Sequence, residues 1–167
     1  MNKRTKKTLS VDNAVQMMGK YCAYRERSID EVVKKLKGFA MSPANIQLVL
    51  ERLTKQGFLD EDRFATAFAG GKFRQKKWGR KRIQMEMKKK GLSNELIEKG
   101  LSQLLEKDYI ETLDVLIQKK WKQVTRSGKD ADDYETKQSN RGKLIRYALQ
   151  KGYEMDLVLD RVRKLGL

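Results

Sequence analysis

Three segments of the chain place apolar residues at i, i+4 and i+7, one face of an α-helix. They are Ile46, Leu50 and Leu53 (with Val49), then Ile97, Leu101 and Leu104, then Val158, Val162 and Leu165. Each follows a basic stretch that runs into Lys-Gly-apolar, at Gly38-Phe39, Gly91-Leu92 and Gly152-Tyr153. That is the pattern of a helix C-terminus. Lysine meets the negative end of the macrodipole, glycine takes the left-handed conformation, and the next apolar residue folds back on the last turn. Start signals agree. Ser28-Ile29-Asp30-Glu31 spells a capping box, Ser42-Pro43 an N-cap with proline at the first helical position, and Ser93 precedes Glu95 and Leu96.

A further helix precedes each pair. Val11, Val15, Met18 and Cys22 mark the first, Phe64, Ala67, Phe68 and Gly71 the second, and Ile110, Leu113, Ile117 and Trp121 the third. The pattern predicts an all-α chain of nine helices in three tandem three-helix repeats. The expected boundaries are a basic flexible arm over 1–9 and repeats over 10–59, 60–106 and 107–167. The three glycines lie 53 and 61 residues apart, and a polar loop over 125–140 accounts for the longer interval. Four of the six residues from Asp130 to Glu135 are acidic, a surface loop rather than a metal site, since no EF-hand spacing is present. Each triplet alone buries little. Stacking of neighbours, as in other helical repeats, predicts an elongated, curved array with one long face.

Composition narrows the function. At 167 residues the chain is 39% hydrophobic and 36% charged, and proline occurs once. It has no histidine, which removes the commonest general base and metal ligand. No phosphate-binding glycine loop, zinc-ligand spacing or nucleophile elbow is present. The sequence therefore gives no catalytic residue, no metal ligand and no cofactor site, and an enzyme is not expected. The one cysteine, Cys22, falls in a helix stripe as a small buried hydrophobe. No apolar run approaches a membrane span, and the basic N-terminus lacks the apolar stretch of a secretory signal. A monomer in a reducing cytoplasm is the expectation.

Charge supplies the strongest functional signal. Lys72, Arg74, Lys76, Lys77, Arg80, Lys81, Arg82, Lys88, Lys89 and Lys90 stand against one acid, Glu86, a net +9 of the chain's +16. Such a surface attracts a polyanion by counterion release, or it is a solvated helix face on a basic protein. Lys72, Lys76 and Arg80 form one ridge if the helix continues through Trp78; Gly79 more simply breaks it. Trp78 either packs as core, the favoured reading, or stacks on a base. Trp121 reads as core. Lys119, Lys120, Lys122, Arg141, Lys143 and Arg146 could extend the basic track.

Three passages resemble the RecX family of bacterial recombination regulators. Arg27-Ser28-Ile29-Asp30-Glu31 with Lys35-Leu36-Lys37-Gly38 is similar to its first-repeat pattern. Gly57-Phe58-Leu59-Asp60-Glu61-Asp62-Arg63-Phe64-Ala65 is similar to its most distinctive stretch. Trp78-Gly79-Arg80-Lys81-Arg82-Ile83, continuing through Glu86-Met87 to Lys90-Gly91-Leu92, is similar to its second repeat. The likeness runs from about residue 12 to the end. It implies three tandem three-helix repeats and a non-enzymatic regulator. Such proteins bind RecA or RecA–DNA filaments, in the filament groove or at the growing end. They inhibit strand exchange, ATP hydrolysis and co-protease function, and so modulate DNA repair and the SOS response. The basic residues would then contact DNA weakly and without sequence preference.

The segment Leu59, Asp60, Asp62, Arg63, Phe64, Ala65 also has a physical reading. The two aspartates suit a helix N-terminus, Phe64 and Phe68 share a face, and Arg63 can pair with a nearby acid. The favoured reading is a clamp at a repeat junction; the other is direct partner contact. A stand-alone nucleic-acid-binding module, or transcriptional regulator of helix-turn-helix-like triplets, is the alternative function.

Overall fold

Residues 9–125 and 134–166 are described in a computed structural model of the chain. Among them lie nine helices and no strand: α1 (Val11–Tyr24), α2 (Ile29–Lys37), α3 (Pro43–Lys55), α4 (Glu61–Lys76), α5 (Arg80–Lys89), α6 (Asn94–Ser102), α7 (Glu106–Thr125), α8 (Tyr134–Lys151) and α9 (Met155–Arg163). The all-α, three-helix-repeat architecture follows the apolar pattern. Most of the expected arm over 1–9, and 126–133 of the expected loop with three of its acids, fall outside the described residues. Residues 134–140 do not form loop; they are the first two turns of α8. Their polar character reflects position, because Asn140 is the only buried residue α8 contributes before Leu144.

Local chemistry sets the helix ends. Ser10, Ser28, Ser42 and Ser93 each accept from the backbone N–H three residues on, and Asp60 does the same for Arg63. Ser28 and Glu31 complete the reciprocal capping box. Gly91 (φ 82°) and Gly152 (φ 94°) take the left-handed conformation. Gly38 does not: its φ is −61°, and Ala40 (φ 56°) makes the left-handed turn two residues later. Successive N–H groups of Gly38, Phe39 and Ala40 bond carbonyls of the last turn, which carries the helix past the glycine before it reverses.

The chain divides into two compact units. The first comprises Met1–Phe68 and Met87–Lys99. Its core gathers Met18, Val32, Leu36, Val49 and Leu53, all fully buried, with Cys22 and Leu59 beside them. The helix-stripe positions thus meet in one apolar cluster. The second unit comprises Ala69–Glu86 and Gly100–Leu167. Here α7, α8 and α9 pack on one another, and Tyr109, Leu113, Ile117, Leu144, Tyr153, Val158 and Val162 are buried.

Candidate nucleic-acid interface

Gly79 decides how the basic segment is built. A helix break at Trp78-Gly79 separates α4 from α5, so the continuous ridge through Trp78 does not form. The first turn of α5 is satisfied from elsewhere in the second unit. Two N–H groups at its start meet the C-terminal carbonyls of α8: Gly79 donates to Lys151 at 2.8 Å and Lys81 to Gly152 at 3.0 Å. Orphan donors of one helix satisfy orphan acceptors of another. The Arg80 N–H donates to the Tyr109 hydroxyl at 2.9 Å, which donates in turn to Glu154 at 2.7 Å. Tyr109 stacks at 4.9 Å from Tyr153 and 5.8 Å from Phe73. Burial pushes the phenols of both tyrosines well above the usual range.

This scaffold sorts the ten cations. Arg80 is committed inward. Its guanidinium bonds Glu106 at 2.6 Å and lies 4.0 Å from the centre of the Tyr109 ring. Burial opposes its charge, but the Glu106 carboxylate more than compensates and raises its pKa. Arg82 bonds the Gln150 carbonyl at 3.0 Å and lies 4.4 Å from the Trp78 ring centre, with Lys72 at 5.2 Å. Trp78 is therefore half-buried under cations, neither sealed in the core nor bare. Lys90 pairs with Glu31 at 3.0 Å and lies near the rings of Phe64 and Phe68, inside the first unit.

Arg74, Lys76, Lys77, Lys81 and Lys88 are exposed, and none forms an ion pair among the described residues. Lys89 is exposed as well. Lys77 holds a left-handed backbone (φ 54°) at the end of α4, a conformation that costs most side chains about 1 kcal/mol. Within the second unit, then, Arg74, Lys76, Lys77 and Lys81 present outward charge beside the Trp78 stack.

The segment from Leu59 to Ala65 lies in the first unit. Leu59, Phe64 and Ala65 are buried. Arg63 pairs with Glu26 at 3.0 Å and donates to the Gly57 carbonyl at 2.8 Å. Asp60 caps α4, Asp62 pairs with Lys99 at 2.6 Å, and Phe64 and Phe68 stack at 5.6 Å. Trp121 is half-buried rather than core, because the buried stripe of α7 runs through Tyr109, Leu113, Leu116 and Ile117. The residues that sequence reasoning missed are Glu106, Tyr109 and Glu154. Their only sequence signal is a tyrosine within an apolar stripe. Among the described residues no cluster of three or more His, Cys, Asp or Glu could hold a metal ion. No helix among them is long and apolar enough to cross a membrane.

Fold and site together define a tandem three-helix-repeat protein with a basic surface. A family model described as the second three-helix domain of RecX matches residues 60–101. The regulatory protein RecX of Lactobacillus johnsonii is 31% identical over 108 residues, covering 65% of this chain and 40% of that protein. That of Chlorobium phaeobacteroides is 35% identical over 91 residues, covering 54% and 58%. Over these spans the chain is similar to the RecX family of regulatory proteins. It spans well under two thirds of the length of these relatives. The crystal structure of RecX from Lactobacillus salivarius superposes with a TM-score of 0.80 over 93% of this chain and 96% of that one, at 19% identity, a likeness of fold.

Proposed function

We propose that the chain binds RecA assembled on DNA and restrains it, lowering strand exchange, ATP hydrolysis and co-protease activity without chemistry of its own. The observation that carries the reading is the outward row Arg74, Lys76, Lys77 and Lys81, which has no acid partner among the described residues, on a chain similar to the RecX family. Uncompensated cations on a fixed scaffold suit the phosphates of a nucleoprotein filament. Such contacts are sequence-blind and salt-sensitive. Family resemblance supplies RecA as the protein partner. The chain acts as a monomer of three triplets, over 10–59, 60–106 and 107–167, in the cytoplasm. The Leu59–Ala65 segment, anchored by buried Leu59, Phe64 and Ala65, serves as a structural clamp.

The test is ATP turnover by RecA on single-stranded DNA as the full chain is titrated, with co-sedimentation alongside. Turnover should fall as the chain enters the pellet. Unchanged turnover at saturating protein removes the regulator reading. A tight, sequence-selective DNA complex formed without RecA would point instead to a stand-alone DNA-binding module.

A further inference from the structure

In the second unit α7 and α8 form a cup of about 210 Å³ lined by Lys120, Lys143, Arg146, Tyr147 and Gln150. Three of the five lining residues are cationic and none is acidic. Lys120 and Lys151 hold their ammonium groups 5.4 and 5.9 Å from the centre of the Tyr147 ring. Neither they nor Lys143 and Arg146 form an ion pair among the described residues. Their hydrogen-bond acceptors are neutral: Gln123 for Lys120, Asn140 for Lys143 and the Lys76 carbonyl for Lys151. Converging like charges repel, and neutral acceptors do not offset that repulsion. An anion in the cup would.

The neighbouring surface narrows the ligand. Arg146 and Gln150, four residues apart on α8, also line a second depression with Gly142, Ile145 and Leu149. They form a ridge with a cationic cup on one side and an apolar shelf on the other. Inorganic phosphate would use the cup alone. A nucleotide within a strand carries an anion and, a few ångströms away, a sugar and a base. Its bases are free to splay onto the shelf only when they are unpaired. Lys151, whose ammonium lies 5.9 Å from the Tyr147 ring, donates to the Lys76 carbonyl at the end of α4.

We propose that the α7–α8 cup seats a backbone phosphate of single-stranded nucleic acid, with the attached sugar and base on the Ile145–Leu149 shelf. The inference rests on reading the basic surface as a nucleic-acid contact, but it needs no RecA. Oligonucleotide binding decides it, whereas ATP turnover decides the regulator reading, so the two can fail separately.

The experiment titrates the full chain with a fluorescent oligothymidylate over a range of salt concentrations, without RecA. Lys143→Ala/Arg146→Ala should bind about tenfold more weakly. Its slope of log affinity against log salt should be shallower by about 0.7, the loss of one single-strand phosphate contact. Ile145→Ser/Leu149→Ser should weaken binding and leave the slope alone. If the double alanine variant loses its melting transition, Lys143→Gln and Arg146→Gln made singly carry the same test, each making the slope shallower by up to about 0.7. An unchanged affinity and slope overturns the site. Displacement of the oligonucleotide by millimolar inorganic phosphate, with the serine variant binding as wild type, overturns the nucleic-acid assignment in favour of a simple anion site.

Discussion

The backbone of Gly79 runs so close to Gly152 that a Cβ on Gly79 would sit 2.3 Å from the Gly152 carbonyl carbon. The reverse also holds: a Cβ on Gly152 would sit 2.3 Å from the Cβ of Arg82. This contact lets the first turn of α5 reach the carbonyls at the end of α8. Gly79→Ala should therefore destabilise the second unit by about 1–3 kcal/mol, read as an earlier urea transition. Gly71, inside α4, has open space around it. Gly71→Ala should instead stabilise by about 0.5–1 kcal/mol. Equal effects from the two substitutions would show that the close approach does not govern stability.

Tyr109 has two partners for one hydroxyl, the Arg80 N–H and the Glu154 carboxylate. Tyr109→Phe leaves that N–H without its acceptor and should cost about 1–3 kcal/mol, with faster hydrogen exchange at the Arg80 amide. Wild-type exchange at that amide would mean that the bond does not persist in solution.

Alkaline titration offers an independent check. Burial raises the phenols of Tyr109 and Tyr153. Two of the six tyrosines should thus resist ionisation in the native protein and titrate with the rest in urea. The unfolded chain releases those protons near pH ~10 while the folded chain keeps them. Stability is accordingly full below that pH and declines above it. A phenolate absorbance curve identical in water and urea would contradict the buried stack.

Glu31 shows the opposite sign. Burial pushes its carboxyl up, but the Lys90 ammonium and the Ser28 N–H together hold it below the usual range. Its contribution is present above the ordinary carboxyl pKa and is lost as pH falls through the lower folded value. Glu31→Gln should cost about 1 kcal/mol at pH 7, and the gap to wild type should close in acid. A gap independent of pH would show that charge is not the cause.

For the basic row, Lys76→Ala/Lys77→Ala/Lys81→Ala should flatten the salt slope of single-strand binding by about 2, while melting stays near wild type. Arg80→Ala should do the reverse, costing about 1 kcal/mol of stability through Glu106 and Tyr109 with little change in slope. Lys77→Gly relieves the left-handed backbone and should raise the melting temperature while weakening binding.

Much of this molecule is written locally. Ser28 and Glu31 cap α2, Ser42 and Pro43 open α3, and Gly91 and Gly152 close their helices. These depend on residues within a turn of one another, so a linear reading recovers them, as it recovers the apolar stripe of each helix. Ala40 taking the turn expected of Gly38, and the polar start of α8, escape that reading, because the first follows the backbone bonds of one helix end and the second is a solvent-facing stretch with no apolar stripe to mark it. The cations divide in the same way. Sequence determined that charge concentrates between Lys72 and Lys90. Tertiary structure alone decided that Arg80 turns to Glu106 and Lys90 to Glu31, while Lys76, Lys77 and Lys81 face solvent. A long cationic side chain carries no local preference between water and an acid 26 or 59 residues away. Only the packing that brings Tyr109, Glu106 and the α8–α9 turn against α5 supplies the second unit's partners.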